Sequence, residues 1–242
     1  MIIIDRAAIS SDKRKLIDRV HAHLEIQRND AFVLLDDARR GTYHNPRYGV
    51  AAFFMNIRSG GVEETSPEHI VEIMKDSNCH YFIWISKDMV EADDFPFVWV
   101  YSHELQHLRQ EISDYSLSRV NSFIRRVANR VLGQSITQLA LPAELEAELV
   151  AKDTLCAFFG KQAFEEYREA EQLQDPAATE YFDHLLRLES ESAGALRHQT
   201  ARLLQAHKEG FRRELRRLTA KDKFRDVDIE SLFETAVPRT GE

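Results

Sequence analysis

Cysteine, proline and glycine are all scarce in this chain, at 2, 6 and 9 of 242 residues. Cys79 and Cys156 lie far apart and match no CxxC spacing. That excludes a disulfide-stapled scaffold, a zinc ribbon and a thioredoxin-type redox pair, and leaves two free thiols expected in a reducing compartment. The few glycines form neither GxGxxG nor GK[ST], so the common phosphate-cradling loops are absent. No apolar run approaches the roughly 20 residues of a membrane span. The opening Met1–Ile4 stretch is too short, and lacks the basic flank, for a secretory signal. Positive charge is in deficit: 32 Lys and Arg against 40 Asp and Glu give a net charge of −8. That balance argues against a nucleic-acid partner, which needs a positive footprint. Arg119, Arg125, Arg126 and Arg130, and the stretch Arg212–Arg217, have acids interleaved or nearby and read as solvated faces. The expectation is a cytoplasmic protein that meets neither membrane nor nucleic acid.

What the chain does have is His103-Glu104-Leu105-Gln106-His107, an HExxH string. Residues four apart on a helix stand one above the other, about 6 Å between Cβ atoms, so both imidazoles can reach one metal ion. Glu104 projects beside them, where it can take a proton from an attacking water. With ten histidines in 242 residues, about 0.04 such strings are expected by chance. The surroundings favour a built site: Phe97-Val98-Trp99-Val100-Tyr101 before the motif and Leu105 and Leu108 within and after it predict a largely buried helix. Asp93 or Asp94 stands at its start and Pro96 in its first turn. Polar side chains in such a helix need partners, because burying them unpaired costs several kcal/mol.

A catalytic zinc site usually has three protein ligands and one open position. The metzincin form HExxHxxGxxH is excluded by Gln110 and Ser113, and the inverted HxxEH form is absent. A glutamate from a later helix remains, and the candidates are Glu144, Glu146 and Glu148 after Pro142, a residue suited to opening a helix. Glu144 and Glu148 share a face, whereas Glu146 points about 200° away from Glu144. A ligand backed by a second carboxylate that orients a histidine fits the Glu144/Glu148 pair. Glu146 and Glu148 stay open as alternatives for the ligand.

His103-Glu104-x-x-His107 followed by Glu144-x-x-Ala147-Glu148 resembles the thermolysin-like gluzincin zinc peptidases, whose second motif is a ligand Glu with an acid four residues later. Glu148 stands where Asp is usual. The local order is also similar to that of the small bacterial ImmA/IrrE-type peptidases. The resemblance covers residues 80–155. It implies zinc held by His103, His107 and Glu144, Glu104 as general base, Glu148 behind the ligands, and a specific protein or peptide as substrate.

Elsewhere, Ile2–Asp5, Ala31–Leu35, Tyr48–Ile57 and His80–Ile85 read as strands, the last rich in aromatic and β-branched residues. By the resemblance and β-augmentation logic, that last strand is expected at the substrate cleft. Helices are expected over 11–27, from Ser66-Pro67-Glu68 to Lys75, over Tyr115–Leu132 ending at Gly133, and over 142–172 with a break near Gly160. Asp175-Pro176 marks another break. Leu196, Thr200, Leu203, Leu204, His207, Phe211, Leu215 and Leu218 predict one long helix, and the tail after Val237 reads as frayed. The fold class is therefore α+β: a small N-terminal sheet packed on the HExxH helix, zincin-like by the resemblance, then a mostly helical C-terminal half. The expected domains are 1–172 for the peptidase and 173–242 for a helical extension.

Three other constellations compete. His21 and His23, two apart, face different sides of a helix. His80, Tyr181 and His184 are candidates for stabilising a developing oxyanion. Arg202 and His207 have the Rx4H spacing of HEPN-type helical ribonucleases, although Leu203 departs from that pattern. A metal-binding interaction protein that cleaves nothing is the remaining alternative.

Overall fold

The computed structural model describes residues 1–43, 49–57, 66–133, 137–191, 196–221 and 223–235. The chain divides into two compact units, one of residues 1–109 and 150–164, the other of 110–149 and 165–242.

The first unit is built on a four-stranded sheet of β1 (Ile2–Asp5), β2 (Ala31–Leu35), β3 (Ala52–Asn56) and β4 (Tyr81–Ile85) in the order β1-β2-β4-β3. β1, β2 and β4 run parallel, with Ile3 opposite Val33 and Val33 opposite Ile83. β3 is antiparallel to β4, with Phe54 opposite Ile83. Both central strands are continuous apolar runs, AFVLL and YFIWI, as strands covered on two faces require. Phe32, Leu34, Phe82 and Trp84 share one face and pack with Met55 and with Ile70 and Met74 of α2 (Glu68–Ser77). Pro67, and not Ser66, occupies the position before α2.

β4 is hydrogen-bonded on both sides, so it has no free edge to pair with a substrate strand. The expected pairing of this strand with a substrate strand is therefore corrected. A strand this apolar is most stable in the interior of the sheet, and β1 and β3 form the two edges.

The first unit also holds α1 (Ser11–His23), capped by the Ser10 hydroxyl accepting from the Lys13 amide, and the short α3 (Lys87–Val90). α1 docks on α4 (Asp94–Ser113). Lys13 Nζ lies 3.0 Å from Asp94 and 4.6 Å above the Phe97 ring, and His21 Nε2 is 2.5 Å from the Tyr101 hydroxyl.

The second unit is helical. α5 (Tyr115–Leu132) starts at Asp114, whose carboxylate accepts from the Leu117 amide, and ends at Gly133 with φ 72°. A 3-10 turn at Gln138–Ala140 leads to α6 (Pro142–Phe159), and Gly160, at φ 90°, separates it from α7 (Lys161–Gln174); residues 150–164 of this stretch belong to the first unit. α8 (Pro176–Glu191), α9 (Leu196–Ala206), α10 (Lys208–Thr219) and α11 (Glu230–Thr235) follow. Leu117, Val120, Phe123, Ile124 and Val127 of α5 form one core with Leu204, Phe211, Leu218, Ile229, Leu232 and Phe233.

The stripe read as one long helix is two, broken at His207 with φ −128° and ψ 32°. The expected boundary at 172 falls inside α7, and the division into units falls inside α4, α6 and α7. The frayed tail lies outside the described residues. Among the described residues, no helix is long and apolar enough to cross a membrane.

Candidate metal centre

The position of the two imidazoles follows from the helical period of α4. Phe97, Tyr101, Leu105 and Leu108 recur at spacings of four, four and three, and all are fully buried. At about 100° per residue, His103 and His107 lie about 200–240° round the helix from Tyr101, opposite that stripe. Both are half-buried, where the flanking residues are buried. Their Nε2 atoms stand 3.0 Å apart, with the rings nearly perpendicular at 84°. Two imidazole nitrogens on a tetrahedral zinc, each at about 2.0–2.1 Å, are themselves about 3.3 Å apart. The helix alone thus brings two donor atoms almost to the separation a metal requires. Glu104 lies about 60° round from His107 on the same side and is 9% exposed.

α6 supplies the third donor. Pro142 opens the helix, where its missing N–H costs nothing, and places Glu144 in the first turn. Glu144 is 3% exposed, and its carboxylate accepts from Arg125 Nη1 of α5 at 2.8 Å. Gln110 Nε2 donates both to the Ala143 carbonyl oxygen at 2.9 Å and to Glu146 Oε2 at 2.8 Å. The buried Glu148 accepts from the hydroxyl of Tyr181 on α8. Burial first, then the charge and the hydrogen bond of Glu148, push the Tyr181 phenol well above its ordinary range.

Each of the three glutamates therefore has a different partner. Glu144 joins the histidines: the ligand atoms of His103, His107 and Glu144 all lie within 4.8 Å of one another. Two neutral imidazoles and one carboxylate form a donor set that divalent first-row metals accept, and this group could hold such an ion.

His80 is 3.3 Å from Asp30, which also pairs with Arg28, at the head of β4. Tyr181 is engaged by Glu148, and His184 is half-buried on α8. His21 meets Tyr101, while His23 meets the edge of Phe158 at 5.4 Å. Arg202 and His207 are both exposed, and His207 stands at the break between α9 and α10.

Sequence reasoning passed over Gln110 and read Arg125 as part of a solvated face. Gln110 did carry a signal, since it continues the His103/His107 stripe one turn on, a polar residue on a line of polar residues. Arg125 carried none, because nothing in a sequence tells which of four arginines on one helix meets Glu144 and which, like Arg130 with Glu214, meets another acid. No family model matches the chain, no curated protein is significantly similar to it, and no solved structure matches its fold significantly.

Proposed function

We propose that this chain is a zinc-dependent peptidase acting on a specific protein target. The observation that carries the reading is the convergence of His103, His107 and Glu144, with a glutamate next to the first histidine. Bound there, zinc would supply Lewis acidity toward the scissile carbonyl and bring the pKa of a water toward about 7. His103 and His107 present their Nε2 atoms as neutral donors, and Glu144 adds the single negative charge of the ligand set. Glu104 takes a proton from the attacking water and delivers it to the leaving amine. Glu148 serves as the carboxylate behind the ligands, with Tyr181 fixing its orientation. The free thiols of Cys79 and Cys156 agree with a cytoplasmic setting.

The test separates metal from chemistry. Protein purified without added zinc should contain about one equivalent by elemental analysis, and Glu144→Ala should lose most of it. Glu104→Gln should keep the metal but lose cleavage by about 10²–10⁴-fold, the usual contribution of general acid–base catalysis. Substrates are to be found by comparing new protein termini in cells carrying the wild type or Glu104→Gln. Absence of stoichiometric metal, or cleavage undiminished in Glu104→Gln, would overturn the proposal.

A further inference from the structure

We propose that Arg125 sets how tightly the His103/His107/Glu144 group holds a cation, because its guanidinium and the ion share the Glu144 carboxylate. This rests on the reading of those three residues as a metal-binding group. Arg125 Nη1 lies 2.8 Å from Glu144 Oε1, and the two side chains differ sharply in exposure, at 61% for Arg125 and 5% for Glu144. A carboxylate so enclosed needs a compensating charge or donor. Arg125 is one such group, and a metal ion is another.

Two effects of Arg125 on metal binding oppose each other. By holding one oxygen, the guanidinium orients the carboxylate, and a partner behind a metal ligand typically favours binding by about tenfold or more. By carrying a fixed positive charge one carboxylate away, it repels a divalent cation. The structure decides between them through Gln110. That side chain already pins the start of α6 by the Ala143 carbonyl, one residue before Glu144, and by Glu146 on the next turn. The helix turn that carries Glu144 thus has a support besides Arg125. The repulsive charge comes from Arg125, and its removal leaves the Gln110 anchor standing. Arg125 accordingly weakens metal binding.

The experiment measures zinc affinity of the full chain by competition with a chromophoric chelator. Arg125→Gln removes the charge, Arg125→Met removes the charge but keeps the apolar stem, and Arg125→Lys keeps the charge. Arg125→Gln and Arg125→Met should bind zinc about tenfold more tightly than wild type, and Arg125→Lys within about threefold of it. Zinc should also raise the melting temperature of Arg125→Gln by more than that of wild type. Affinity unchanged or weakened in both uncharged variants would overturn the inference while leaving the metal site intact. Failure of every form, wild type included, to take up zinc would instead overturn the metal reading on which it rests.

Discussion

Glu144, Glu146 and Glu148 sit on successive half-turns of one helix and meet three different partners: Arg125, Gln110 and Tyr181. Helical angles alone separate Glu146 from the other two, and that much was legible in the sequence. Spacing did not choose between Glu144 and Glu148, which only the resemblance implied, since their partners are an arginine and a tyrosine brought in from other helices. Gln110 is the residue whose loss should be felt most directly. Gln110→Leu removes two donated hydrogen bonds from buried surroundings and should cost about 1–3 kcal/mol in urea unfolding. It should also weaken zinc binding, because the start of α6 loses its anchor. A variant as stable as wild type with unchanged zinc affinity would remove Gln110 from the account.

Helix α4 shows what periodicity can and cannot convey. Its apolar stripe at Phe97, Tyr101, Leu105 and Leu108 and the opposed histidines were readable directly, because a helix places every residue by its number. The stripe from Leu196 to Leu218 was read as one helix and is two. Leu196, Leu204, Phe211 and Leu218 nonetheless face the same core, so a stripe reports which side is buried and not whether the axis is continuous. The central place of β4 was not legible for a related reason. A run of apolar residues signals burial on both faces but says nothing of which strands flank it. α10 carries a further constraint at Gly210, where a Cβ would come 2.9 Å from Cγ1 of Val131 on α5. Alanine is the better helix former by about 1 kcal/mol, yet Val131 is β-branched and has little freedom to turn aside. Gly210→Ala should therefore destabilise by about 1 kcal/mol, and Val131→Ala in the same chain should relieve it. Stabilisation by Gly210→Ala alone would contradict that close approach.

At the scale of the molecule, the α+β class, with a small sheet first and helices after, was visible in composition and pattern, whereas the parallel run of β1, β2 and β4 was not. The discontinuous units were not, because α4, α6 and α7 each run from one unit into the other, and no composition shift marks a division inside a helix. Acid stability offers a global test of the packing under α4. Burial chiefly, with some help from the charge of the chain's amino terminus, lowers the His21 pKa from 6.5 to about 4. A histidine held neutral by the fold contributes its full stability above the unfolded pKa and loses it as the unfolded chain gains the proton. Unfolding free energy should thus fall between pH 6.5 and about 4, by up to about 3 kcal/mol. His21→Phe should flatten that slope in urea melts at pH 7, 6 and 5, and slopes identical to wild type would contradict it.

The central claim, that three named side chains form one metal centre, is tested most directly by crystals of zinc-loaded protein measured on either side of the zinc absorption edge. The account predicts a single anomalous peak about 2.0–2.2 Å from the Nε2 atoms of His103 and His107 and from a carboxylate oxygen of Glu144. A peak held by other residues, or no peak there at full zinc loading, would contradict it.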